Sequence, residues 1–176
     1  DYILVNEVVE NFKGEKLLQL YEKKYSNEEF IKEVNDFVWW AQNLEKNHFE
    51  VMKSLENHIP NTKLFIWPSK EVGRICEKVS WEYLSKWKWL EALTDYTRAT
   101  LVFDSYWEFP KGINHLKNLV KEGKIKTFNV KNRINSWCAD MLINIQTHDW
   151  YTSEIQFHTP ESLIMKESYL WKKIIE

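Results

Sequence analysis

Only four of the 176 residues are glycine and four are proline, so this chain must turn almost entirely on residues that resist positive φ. Its loops therefore depend on Asn, Asp, Ser and Lys. A glycine-rich phosphate loop is unavailable, and neither the Walker nor the dinucleotide glycine pattern occurs. That excludes the two commonest ways of holding a nucleotide. The ten tryptophans imply a core or cleft built from large rigid plates.

Hydrophobic residues make up 44% and charged residues 28%, the balance of a soluble globular chain, and the length suits a single domain over 1–176. The formal charge of −2 exerts no global pull on DNA or an anionic membrane, so any anion site must be a local cluster of Lys and Arg. No apolar run reaches 18 residues, and no membrane span is expected. Cys76 and Cys138 stand alone in the sequence, as two free buried thiols in a reducing compartment would. The start, Asp1 to Val5, has neither Met nor a cleavable signal pattern, as an excised domain would.

Residues 1–60 read as helical. A shorter helix is expected over 15–24. Ser26 and Glu29 form a capping box for a longer one, which carries Phe30, Val34, Phe37, Val38, Ala41, Leu44, Met52 and Leu55 at helical spacing to about His58. Trp39 and Trp40 fall on adjacent sides of it, and at least one is expected to face another element. Residues 61–176 alternate. A strand or extended run covers Lys63 to Trp67, and a helix covers Ser80 to Ala92. A β-branched strand covers Thr97 to Asp104. Pro110 opens a helix that Gly123 closes. A further strand runs from Ile125 to Val130. Asp140 to Thr147 and Tyr151 to His158 form a hairpin, and Thr159-Pro160 caps a final helix. The expected fold is α/β (α+β): one mixed sheet of about five strands flanked by helices, behind a helical N-terminal segment.

The hairpin carries the chemistry. Period-two alternation puts Glu154, Gln156 and His158 on one face, and Asp140, Asn144 and Gln146 on one face of the preceding strand. A three-residue turn over 148–150 sets Asn144 opposite Glu154 and Asp140 opposite His158. Two carboxylates and a histidine then share a polar sheet face. Taken alone, such a face is ordinarily a solvated one.

Glu154-Ile155-Gln156-Phe157-His158-Thr159 resembles the Glu-x-Gln-x-Arg/His-Thr motif of RelA/SpoT-like synthetase domains, and the longer EIQFHTPESLIMKES resembles the small or toxin-associated members. Asp95 to Phe103 resembles the family's Asp-x-x-Arg-x-Thr strand. Gly73-Arg74 with Ser80, and Lys131-Asn132 with Trp137, resemble two weaker segments. Order and spacing agree over roughly 70–170.

The resemblance implies a nucleotidyltransferase-type fold and a transfer of the β,γ-pyrophosphate of ATP to the ribose 3′-hydroxyl of a nucleotide acceptor. It implies Mg²⁺ on Asp95 and Glu154, with Glu154 activating the hydroxyl. Arg74, Arg98 and Lys131 would lie on phosphates, with Lys78, Lys86 and Arg133 in second rank. Asn144, Gln156 and His158 complete the expected nucleotide site. The toxin-like members extend the acceptors to an adenine nucleotide or the 3′ end of tRNA. The setting would be the cytoplasm of the producing cell, or of a target cell for a delivered toxin.

Two departures matter. Cys76 stands where the family carries Lys, and Asp140 where it carries the Tyr that stacks on the acceptor base, with Leu142 replacing a small residue. Trp137 is a substitute stacking residue, since any base offers a π-face. These departures motivate an alternative in which the fold is kept as a nucleotide-binding or regulatory module and catalysis is lost or redirected. A third reading, a helical interaction protein, rests on the N-terminal helix and its aromatic pairs.

Overall fold

The computed structural model describes residues 28–79, 90 and 93–175. The helix expected over 15–24, Ser26 of the capping box, Lys86 and nearly all of the helix expected over 80–92 lie outside the described residues. In chain order the elements are α1 (Glu28–His58), β1 (Lys63–Ile66), α2 (Val72–Lys78), β2 (Arg98–Val102), α3 (Phe109–Lys121), β3 (Thr127–Arg133), β4 (Asp140–Gln146), β5 (Thr152–His158) and α4 (Pro160–Ile175). A short 3₁₀ turn over Tyr106–Glu108 leads into α3.

The chain divides into two compact units. In the first, which takes in 28–40 and 70–79 among the described residues, Phe30, Val34, Ile75 and Cys76 are buried. Trp39 and Trp40 are both exposed, Trp39 by 69%. They fall outside the buried stripe of α1, which runs through Val34, Ala41, His48, Met52 and Leu55. Helix α2 was not anticipated. It is a seven-residue helix with a glycine in its first turn, too short and too unfavourable in propensity to register as a periodic pattern.

The second unit, 41–69 and 94–176, holds a five-stranded mixed sheet in the order β1-β2-β5-β4-β3. Only β2 and β5 run parallel; β1–β2, β3–β4 and β4–β5 are antiparallel. One face is apolar: Ala99, Leu101, Ile143, Ile145, Ile155 and Phe157 join Met52 and Leu55 of α1, Ile59 just past its end, and Phe109, Leu116 and Leu119 of α3 in one core. Helix α3 approaches the sheet closely at Gly112, where an added Cβ would sit 2.6 Å from the Phe157 ring. Gly123, at φ 70°, closes α3 in the left-handed conformation expected of it.

The β4–β5 hairpin turns on residues 148–150, with Thr147 N–H donating to Tyr151 O at 3.1 Å. That is the loop length required for the expected register. With glycine scarce, the positive-φ position falls on Trp150, at φ 64°. Strand β3 starts two residues later than expected and runs on to Arg133. Both cysteines are buried and free. No helix among the described residues is long and apolar enough to cross a membrane.

Candidate active site

The alternation that buries Ile155 and Phe157 turns Thr152, Glu154, Gln156 and His158 of β5 to the opposite face, and the ladder aligns them with their neighbours. Arg98 pairs with Glu154, Glu154 with Asn144, and Asn144 with Asn129. Trp67 extends this row at the β1 edge, its N–H donating to Arg98 O at 3.1 Å. A second row runs Phe65, Thr100, Gln156, Leu142, Lys131. The face opposite the apolar core is thus a grid of polar and aromatic side chains at strand spacing, about 4.8 Å, with Glu154 near its middle.

Glu154 is only 9% exposed. Gln156 Nε2 donates to its Oε1 at 2.6 Å, and Lys166 of α4 donates to Gln156 Oε1. An ammonium can only donate, so Lys166 fixes the Gln156 carbonyl towards itself and the amide nitrogen towards Glu154. On either side of Glu154 in the row, Arg98 Nε and Asn144 Oδ1 are buried without a hydrogen-bond partner. Buried polar atoms are rarely left so. Here a donor and an acceptor bracket one carboxylate.

Asp140 is fully buried, with Arg133, Lys166 and His158 around it. Arg133 Nε and Nη2 each donate to it at 2.7 Å. His158 Nε2 lies 3.3 Å from Oδ2, within ion-pair reach but not aligned as a hydrogen bond, and Lys166 Nζ lies at 3.7 Å. Burial pushes the Asp140 carboxyl up, but His158 and Arg133 together outweigh it and hold it below the usual carboxylate range. His158 Nδ1 meets Ser162 Oγ at 2.8 Å. Thr159 caps α4 by accepting from Ser162 N–H at 3.3 Å, and Ser162 Oγ accepts from Thr159 N–H at 3.0 Å. The expected Thr159-Pro160 cap is therefore present, and it also anchors His158.

Among the expected site residues, Arg98, Asn144, Glu154, Gln156, His158 and Lys131 share this sheet face. Lys131 is exposed at its β3 edge. Asp95 stands on the segment leading into β2, with Oδ1 buried. Arg74 lies in the other unit, on α2, paired with Glu77 at 2.7 Å. Trp137 is exposed in the β3–β4 turn. Lys166 and Trp67 were missed. Lys166 follows Ser162 by four residues, so helical spacing sets both on one side of α4. Trp67 becomes visible only once β1 is known to border β2.

Among solved structures, the chain matches a protein described as the type VI effector Tas1 in complex with its immunity protein, with a TM-score of 0.52 and 15% identity over 76% of this chain. The fold is shared. The match spans 63% of that effector chain, and at this identity it speaks for architecture alone. No family model matches the chain, and no curated protein does.

Proposed function

We propose that this chain is a Mg²⁺-dependent nucleotide pyrophosphokinase, moving the β,γ-pyrophosphate of ATP to the 3′-hydroxyl of a nucleotide acceptor. The observation that carries this reading is the bracketing of Glu154 by the orphaned Arg98 Nε and Asn144 Oδ1 on the polar sheet face. A phosphoryl-type transfer needs a positioned base, a cation on the phosphates and groups that orient a hydroxyl. That row holds one of each. The shared fold with a type VI effector and the motif around Glu154 point the same way, and favour an effector or toxin working in a cytoplasm.

In the proposed step the acceptor 3′-oxygen attacks the β-phosphorus of ATP, and its proton passes to the Glu154 carboxylate. The bond from the β-phosphorus to the oxygen bridging it to the α-phosphorus breaks, and AMP leaves. Gln156, oriented by Lys166, holds Glu154 Oε1, so Oε2 is the oxygen that takes the proton. Arg98 and Lys131 carry phosphate charge. Among the described residues no three His, Cys, Asp or Glu side chains form a metal cage. Magnesium ordinarily takes one or two carboxylates and fills its shell with phosphate oxygens and water, and Asp95 and Glu154 fit that set by type. The bound ion would neutralise charge developing on the phosphates.

The alternative of a binding module without catalysis rested partly on Asp140. That carboxylate is committed to Arg133, His158 and Lys166 and closes the end of the sheet face, leaving Glu154 as the carboxylate at its centre. The deciding experiment incubates the protein with Mg-ATP and, in turn, GDP, GTP, AMP, ADP, ATP and bulk tRNA, and follows AMP by chromatography. AMP released with one acceptor and lost in Glu154→Gln is the expected result. No AMP with any acceptor overturns the proposal.

A further inference from the structure

The row through Glu154 has unlike ends. Towards β3 it continues as Asn144 and Asn129, neutral amides suited to sugar hydroxyls. Towards β1 it continues as Arg98, a cation with an orphaned Nε, and then Trp67. Trp67 is 41% exposed at the edge of the sheet. Its indole Nε1 donates to Thr100 Oγ1 at 2.9 Å, and Thr100 is itself buried. With that polar atom satisfied inside the protein, the ring offers outward only its π surface. Phe65, also half-exposed, stands in the adjacent row on the same face, and Pro68 follows directly, ending the strand.

Resting on the function proposed above, we infer that Trp67 is the stacking platform for the base of the phosphate-donating nucleotide. Base–aromatic stacking tolerates any base, and Trp67 lies two strand spacings from Glu154, about 10 Å. The first side chain between them is a guanidinium, so the part of the ligand beyond the base and its sugar is anionic. A triphosphate meets that condition. An acceptor whose ribose must reach Glu154 does not, and its sugar belongs on the Asn144 side. The row thus reads base, phosphates, base catalyst, sugar hydroxyls from β1 to β3.

The test is calorimetry on the full chain with two probes: α,β-methylene-ATP, whose bridge resists the proposed cleavage, and tripolyphosphate, which has no base. Trp67→Ala should weaken α,β-methylene-ATP at least tenfold, the scale of one lost base stack, and leave tripolyphosphate binding within twofold. Trp67→Phe should recover most of the loss. Equal loss of both probes in Trp67→Ala, or wild-type affinity for α,β-methylene-ATP, overturns the platform. If that happens while the wild type still releases AMP, the pyrophosphokinase reading stands and only the role of Trp67 falls. A wild type that binds no α,β-methylene-ATP overturns both.

Discussion

Arg133 and Asp140 face each other across the β3–β4 ladder and share two parallel hydrogen bonds of 2.7 Å. The carboxylate is buried, and Lys166 and His158 approach it as well. Removing its charge strands the guanidinium, so Asp140→Asn should cost about 2–4 kcal/mol, measured by urea unfolding. In a double-mutant cycle, Asp140→Asn and Arg133→Gln should couple by more than 1 kcal/mol. The folded carboxyl is held low, so its contribution is present above the unfolded pKa and is lost as pH falls through the lower, folded value. Additive single losses would argue against the pairing.

Glu154→Gln keeps the shape of the side chain and its contact with Gln156 but cannot accept a proton. Pyrophosphate transfer should fall by at least about 100-fold, with the urea midpoint moving little. Activity retained within a few-fold would remove Glu154 from the role of base.

Lys166 is assigned a positioning role through Gln156. Lys166→Met should lower kcat by about tenfold, the scale of one hydrogen bond to a charged group, with KM for ATP unchanged. Gln156→Ala added to it should cost little more, because the two act in series on Glu154. Independent, multiplying losses would show that Lys166 acts elsewhere.

His48 of α1 lies on the other side of the sheet, wedged between Ser153 Oγ and Thr147 Oγ1 and edge-on to Tyr151. Burial lowers its pKa to about 4. Between that value and the ordinary 6.5 the unfolded chain binds a proton that the folded chain refuses. Stability is therefore complete above pH 6.5 and declines towards pH 4, by about 3 kcal/mol. Thermal melts at pH 7.5 and 5 should show a smaller difference for His48→Gln than for the wild type. Equal differences would contradict the assignment.

At Gly112 two effects oppose each other. Alanine favours a helix interior by about 1 kcal/mol, yet its Cβ would meet Phe157 at 2.6 Å and Phe103 at 3.2 Å. Phe157 is fully buried and packed edge-on against Phe109, so it has nowhere to go. Overpacking should win, and Gly112→Ala should be net destabilising by about 1–2 kcal/mol in urea unfolding. A stabilised variant would mean that the helix yields.

The hairpin was legible because its signal is local. Alternation in Tyr151 to His158 assigns the faces, and the spacing to Asn144 sets the register once a three-residue turn is assumed. The row from Trp67 to Asn129 was not legible, since it depends on β5 lying between β2 and β4, a non-local fact that periodicity does not contain. Asp140 read as a departure in an acceptor site, whereas its surroundings make it the anchor of an ion-pair cluster. That distinction needed Lys166, which approaches from a different element. Helix α2 was lost to its length.

Among the described residues β5 is the last strand in sequence, and it sits in the middle of the sheet. Until it slides between β2 and β4, both lack a neighbour on that side, and Arg98 and Asn144 have no carboxylate between them. The proposed catalytic row is therefore completed only after residues 152–158 have been added to the growing polypeptide. A copy halted just before Thr152 carries four of the five strands but not the central carboxylate, so truncation by nonsense codon, stalled ribosome or protease at that point would remove the proposed base.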